Sequence, residues 1–160
     1  MVKVYVSVGS NIDRERNVPS ALDQLANEYG DLQQSRIFEA KAVGFDGDAF
    51  YNLVVAFETD QTPQQVLKVL NRIEDEHGRD RSVGKFSSRT LDLDLLLCDD
   101  LVLDESHLKL PRPEILEYAF VLQPLAEIAG EMKHPVTGFS FAMTWDAFDP
   151  TAQPMWPLEK

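Results

Sequence analysis

The chain has 160 residues, 44% of them hydrophobic and 26% charged, and carries a net charge of −12. That length suits one domain with a proper core, expected over residues 1–160, and the acidic balance argues against nucleic-acid or anionic-membrane partners. No apolar run approaches the ~18 residues of a membrane span, the amino terminus lacks the apolar core of a signal peptide, and the single cysteine, Cys98, reads as an apolar filler suited to a reducing cytoplasm.

In chain order, residues 2–8 alternate as a strand, closed by the turn-forming cluster Gly9-Ser10-Asn11. Val18, Leu22, Leu25, Ala26 and Tyr29 recur at helical spacing and predict a helix that ends near Gly30. A strand around 33–40 follows, then a loop, Val43-Gly44-Phe45-Asp46-Gly47-Asp48, and a strongly β segment over 52–59. Thr62 can cap a helix, Pro63 suits its first position and Gln65 completes a capping box. Val66, Leu67, Leu70 and Ile73 form that helix's buried stripe, and Gly78 is its stop signal. A basic loop over 79–88 leads into a strand over 89–97, and Asp99-Asp100 is expected to turn the chain into a hairpin partner near 101–110. Pro111 and Pro113 bracket a loop, residues 119–129 read as a second long helix, and the last thirty residues carry little regular structure. The β-α-β-β-α-β order through residue 97 is the ferredoxin-like plan, an α+β fold. Short turns between strands favour a mixed, mostly antiparallel sheet covered by helices.

The stretch Arg89-Thr90-Leu91-Asp92-Leu93-Asp94-Leu95-Leu96-Leu97 is the most informative. On a strand, Asp92 and Asp94 project from one face with Cα atoms roughly 6.5–7 Å apart, and Leu91, Leu93 and Leu95 line the other. Two adjacent carboxylates repel unless a cation lies between them, and Mg²⁺ takes hard oxygen ligands together with substrate phosphates. The alternative is a half-exposed strand whose wet face carries two aspartates. Arg72, Arg79, Arg81, Lys85 and Arg89 place five of the fifteen basic residues between positions 72 and 89. At contact distance this local density outweighs the acidic balance, because charges beyond ~8–10 Å are screened.

Ile73-Glu74-Asp75-Glu76-His77-Gly78-Arg79-Asp80-Arg81 followed by Arg89-Thr90-Leu91-Asp92-Leu93-Asp94 closely resembles the pattern of the 6-hydroxymethyl-7,8-dihydropterin pyrophosphokinases. Val4-Tyr5-Val6-Ser7-Val8-Gly9-Ser10-Asn11 resembles that family's opening strand, Phe50-Tyr51-Asn52-Leu53-Val54-Val55 its pterin-site strand, and Phe120-Val121-Leu122-Gln123-Pro124-Leu125-Ala126-Glu127-Ile128 its late helix. The resemblance implies transfer of the β,γ-pyrophosphoryl group of ATP to the hydroxymethyl group of a reduced pterin, releasing AMP, on the way to folate. It implies two Mg²⁺ ions bound with ATP, with Asp92 and Asp94 as the metal pair. Arg79, Arg81 and Arg89 match the family's phosphate-binding, catalytic arginines, whose guanidinium forks suit phosphate oxygens. Asn71 and Glu74 match positions that border the nucleotide. Phe50 and Phe120 match the stacking pair for the flat ring, Asn52 the amide that reads its edge, and Val43 and Gly44 the loop whose backbone meets it. A monomer is expected.

The chain departs from the pattern in one segment. Many members carry a Pro-His-Pro-Arg-like stretch, whereas this chain has Pro111-Arg112-Pro113-Glu114. Arg112 thus stands where a nucleotide-contacting histidine is common and can supply phosphate contacts itself. Glu114 replaces a frequent arginine, and Tyr118 stands where another is common. These departures motivate an alternative, a catalytically weakened paralogue that binds pterin or nucleotide without efficient transfer. An RNA-binding ferredoxin-like module is disfavoured by the acidic charge and the missing aromatic signature.

Overall fold

A computed structural model describes residues 1–42, 47–78 and 90–158. Its spine is β1 (Val2–Ser10), which runs antiparallel to β4 (Phe50–Thr59) on one side and to β5 (Asp92–Cys98) on the other. α1 (Arg14–Tyr29) follows β1 and stops at Gly30, whose φ of 81° suits glycine and whose N–H donates to the Ala26 carbonyl at 2.8 Å. β2 (Gln33–Gln34) and β3 (Phe38–Ala40) pair with β4. α2 (Pro63–Glu76) then returns the chain to β5 at the far edge. The capping box is present as expected: Gln65 N–H donates to Thr62 Oγ1 at 3.2 Å, and Thr62 N–H donates to Gln65 Oε1 at 2.8 Å.

The sheet order β5-β1-β4-β3, with β2 also on β4, is that of the ferredoxin-like plan. Every pairing among the described strands is antiparallel, because each helical crossover passes over a neighbour before its strand joins the sheet. Alternation along the strands divides the core in two. Val4, Val6, Val8, Leu53, Val55, Leu93 and Leu95 pack under α1 and α2 with Val18, Leu25, Val66, Leu70 and Ile73. On the opposite face Tyr5, Val54, Ala56, Leu96 and Leu97 pack with α3 (Ala119–Ala129) and Phe141. Cys98 is buried in the first cluster, and burial, then Asp99, push its thiol pKa to about 11, as befits an apolar filler. Among the described residues no helix is long and apolar enough to cross a membrane.

Three expectations need correction. The strand predicted over 33–40 is broken between β2 and β3. Ser35 gives its backbone N–H to the Val54 carbonyl while its hydroxyl accepts the Val54 N–H, each at 2.9 Å, so a side chain takes over one rung of the ladder. Residues 101–110 do not pair with β5; β6 (Leu103–Glu105) and β7 (Leu108–Leu110) pair with each other in a separate two-stranded sheet. The last thirty residues are more ordered than their prolines suggest. α4 (Phe141–Ala147) is capped by Ser140, whose hydroxyl accepts the Met143 N–H at 3.1 Å, and buries Phe141. β8 (Met155–Pro157) extends the sheet along β3, where an edge strand tolerates proline.

Candidate active site

β5 carries the acidic pair on a surface whose orientation is set from both sides. Leu91, Leu93 and Leu95 are buried, so Asp92 and Asp94 are turned to the opposite face, where Asp94 lies opposite Ser7 and Asp92 opposite Gly9. The start of the strand is held by Ser10, whose hydroxyl donates to the Thr90 carbonyl at 2.6 Å. Its outer edge is held by Glu74 of α2, a carboxylate only 3% exposed, which accepts the Leu93 N–H at 2.7 Å. Burial and the adjacent Asp92 carboxylate push the Asp94 pKa well above the ordinary carboxylate range, against the pull of Arg112. A cation would relieve that repulsion. Among the described residues no group of three or more His, Cys, Asp and Glu side chains is placed to hold a metal. Two hard oxygen donors that need further oxygens from a substrate fit Mg²⁺.

Arg112 reaches the pair through an irregularity in β5. The pairing with β1 skips Leu96, and the Leu96 carbonyl accepts the Arg112 N–H at 3.0 Å. Bulges of this kind re-aim side chains beside functional sites. Here it sets the Arg112 backbone beside Leu96, from which the side chain reaches Asp94, with Nη2 at 3.4 Å from Asp94 Oδ1 and Nε in contact with Glu114 Oε2. Glu114 stands on a short 3-10 turn, Pro113–Leu116, that Ile115 anchors in the core. Burial disfavours the Arg112 charge, but Asp94, Glu114 and Asp92 together hold its pKa above the ordinary value.

The other half of the site lies across β1. Asn52 is buried at 4% exposure and pairs with Gly9, the residue that faces Asp92 from the other side. A Cβ at Gly9 would stand 2.8 Å from Asn52 Oδ1 and 3.9 Å from Phe50 Cδ1, so only glycine leaves room for the amide to lie over the central strand. Phe50 shares the Asn52 face of β4, two residues away. Phe120 on α3 is half-buried against the cluster that contains Val54, and Tyr118 stacks on it with ring centroids 5.0 Å apart. Tyr118 therefore adds an aromatic surface where an arginine is common.

The fold thus brings Asn52, Asp92, Asp94 and Arg112 to one face of the sheet, with Glu74 behind β5. Asn71 is exposed on α2, one turn before Glu74. Val43, Gly44, Arg79, Arg81 and Arg89 lie outside the described residues. Sequence reasoning did not single out Gly9, Ser10 and Asn11 as site residues. They read as a turn, yet Gly9 and Ser10 belong to β1, and Asn11 Nδ2–H donates to the Asp48 carbonyl at 2.9 Å. The polar, small-residue end of an otherwise apolar strand was the available signal.

Residues 5–130 match the model of the family described as 7,8-dihydro-6-hydroxymethylpterin-pyrophosphokinase. The chain is 34% identical over 139 residues to the 2-amino-4-hydroxy-6-hydroxymethyldihydropteridine pyrophosphokinase of Aquifex aeolicus, covering 85% of this chain and 86% of that one. It is 36% identical over 138 residues to the enzyme of the same name from Bacillus subtilis, covering 83% and 81%. The folic acid synthesis protein fol1 of Pneumocystis carinii is 35% identical over 97% of this chain, which spans only 21% of that longer protein. A solved Plasmodium falciparum HPPK-DHPS structure with pterin and p-hydroxybenzoate superposes with a TM-score of 0.72 over 91% of this chain and 42% of that one; at 14% identity the likeness is one of fold. With the D-L-D strand, the buried amide and the ferredoxin-like sheet in place, the chain belongs to the 7,8-dihydro-6-hydroxymethylpterin-pyrophosphokinase family.

Proposed function

We propose that the protein transfers the β,γ-pyrophosphoryl group of ATP to the hydroxymethyl oxygen of 6-hydroxymethyl-7,8-dihydropterin, releasing AMP, as a monomeric cytoplasmic enzyme of folate biosynthesis. The observation that carries this reading is the single row of the sheet in which Asn52 and Asp92 flank Gly9. A ring reader and a metal-type carboxylate pair are thereby fixed on adjacent strands of one rigid surface.

In this reading the reaction forms a bond from the hydroxymethyl oxygen to the β-phosphorus and breaks the bond from that phosphorus to the α,β-bridging oxygen. The hydroxyl proton is lost and AMP departs. Such transfers leave the protein little covalent work beyond positioning and charge stabilisation. Asn52 presents a buried donor and acceptor to the amide-like edge of the pterin, and Phe50 and Phe120 offer faces for stacking. Asp92 and Asp94 would hold two Mg²⁺ ions, whose chemistry is to neutralise phosphate charge and to align the attacking and leaving oxygens. Glu74 keeps the carboxylates in place by fixing the strand edge between them. Arg112, with Arg79, Arg81 and Arg89, supplies cationic forks for the triphosphate. The departures at 112 and 118 place side chains against Asp94 and Phe120, which favours an active enzyme over a decayed one.

The test is ³¹P NMR of the full chain with ATP, Mg²⁺ and 6-hydroxymethyl-7,8-dihydropterin. AMP should form only when protein, pterin and Mg²⁺ are all present. ATP consumption to ADP, or none under any condition, would refute the assignment.

A further inference from the structure

We propose that Arg112 is a tethered counter-cation of Asp94, held ready by Glu114, that makes metal binding at the acidic pair depend on the nucleotide. The inference rests on the reading of Asp92 and Asp94 as the metal pair and goes beyond it by assigning a coupling between two ligands.

Three observations lead to it. Arg112 and a divalent cation claim the same carboxylate, since Nη2 stands 3.4 Å from Asp94 Oδ1. The backbone bond from Arg112 N–H to the Leu96 carbonyl ties the residue to β5, so the side chain is the part that yields most readily. Glu114 contacts the Nε of the same guanidinium, from an element whose Ile115 is fully buried. Arg112 therefore lies between two acids on rigid supports, one of which is needed for metal and the other is not.

The electrostatics set the order of events. A divalent ion on Asp94 would sit within a few ångströms of the guanidinium, and like charges at that range in a half-buried site repel strongly. A polyphosphate resolves the conflict, because its oxygens accept both the metal and the planar fork of arginine. Arg112 can then turn from Asp94 to phosphate while Glu114 keeps its Nε side. Metal alone must displace Arg112 without compensation; metal with nucleotide need not. By linkage, the factor by which nucleotide strengthens metal binding is the factor by which metal strengthens nucleotide binding. The departures at 112 and 114 are thus one device.

The test measures Mn²⁺ binding to the full-length protein by electron paramagnetic resonance, with and without α,β-methylene-ATP, which cannot transfer its pyrophosphoryl group. Arg112→Gln should bind Mn²⁺ alone about ten-fold more tightly than wild type, and its enhancement by the analogue should shrink by about the same factor. Arg112→Lys keeps the charge but cannot bridge both acids with a planar fork, and should shift in the same direction by less. Lys109→Gln removes an equal charge from an exposed side chain on β7 and should behave as wild type. Unchanged enhancement in both Arg112 variants, or an equal change in Lys109→Gln, would overturn the inference and leave the metal pair standing. Failure of the wild type to bind Mn²⁺ even with the analogue would overturn the metal pair and this coupling together.

Discussion

Asn52 and Asp92 stand in one row of the sheet, each directly opposite Gly9 of the central strand. Two strand spacings separate their backbones, roughly 9.5–10 Å. Both side chains rise on the face that bears Val54 and α3, away from α1 and α2. A ring recognised at one end of that row and a phosphate chain held at the other would meet above Gly9.

Gly9→Ala tests the row directly. The added methyl would be 2.8 Å from Asn52 Oδ1 and must displace the amide. Pterin affinity, measured by calorimetry, should fall about 2–10-fold, the equivalent of one hydrogen bond. Affinity for α,β-methylene-ATP should hold. Equal loss for both ligands would instead indicate damage to β1.

Asp92→Asn and Asp94→Asn each keep shape while removing the charge that a divalent cation needs. Metal-type charge stabilisation amounts to several kcal/mol, so turnover should drop by about 100-fold or more in either variant. AMP release in a coupled assay reads this out, and near-wild-type rates would dismiss the two-carboxylate assignment.

Glu74 matters to the fold as well as to the site. Its carboxylate accepts the buried Leu93 N–H, and Glu74→Ala would orphan that donor. The expected loss of stability in urea is about 1–3 kcal/mol. Glu74→Gln retains an acceptor oxygen and should lose less. If the two variants unfold alike, the bond to Leu93 contributes little.

His134 predicts a pH dependence remote from the site. Its ring is buried, and Nδ1 accepts the N–H groups of Val136 and Thr137 at 3.1 Å each. Burial lowers its pKa below the ordinary 6.5. The unfolded chain therefore binds the proton more readily, and the stabilisation present above pH 6.5 is lost as pH falls towards the lowered folded value. Urea midpoints should decline with acidification across that window, and His134→Asn should flatten the slope. An unaltered slope in the variant would place the titrating group elsewhere.

Much of this was legible in short-range chemistry. Thr62, Pro63 and Gln65 specify a helix start by bonds within four residues, and α2 begins there. The alternation Leu91-Asp92-Leu93-Asp94-Leu95 dictates that the carboxylates share a face once the leucines are buried. The C-terminal segment was less legible, because β8 is three residues long with a proline and gains its rungs only from β3, over a hundred positions earlier.

The sequence by itself determined β1, α1, α2, β5 and α3, the family pattern and the side of the strand on which the acids stand, because periodicity and capping act over a few residues. Only the tertiary structure decided that Asn52 and Asp92 share a row, that Ser10 holds Thr90 from 80 positions away, and that Arg112 lies on Asp94. Those relations follow from strand register and from the skipped Leu96. Register is settled by which faces can be buried together, a property of distant segments in contact that no local pattern along the chain contains.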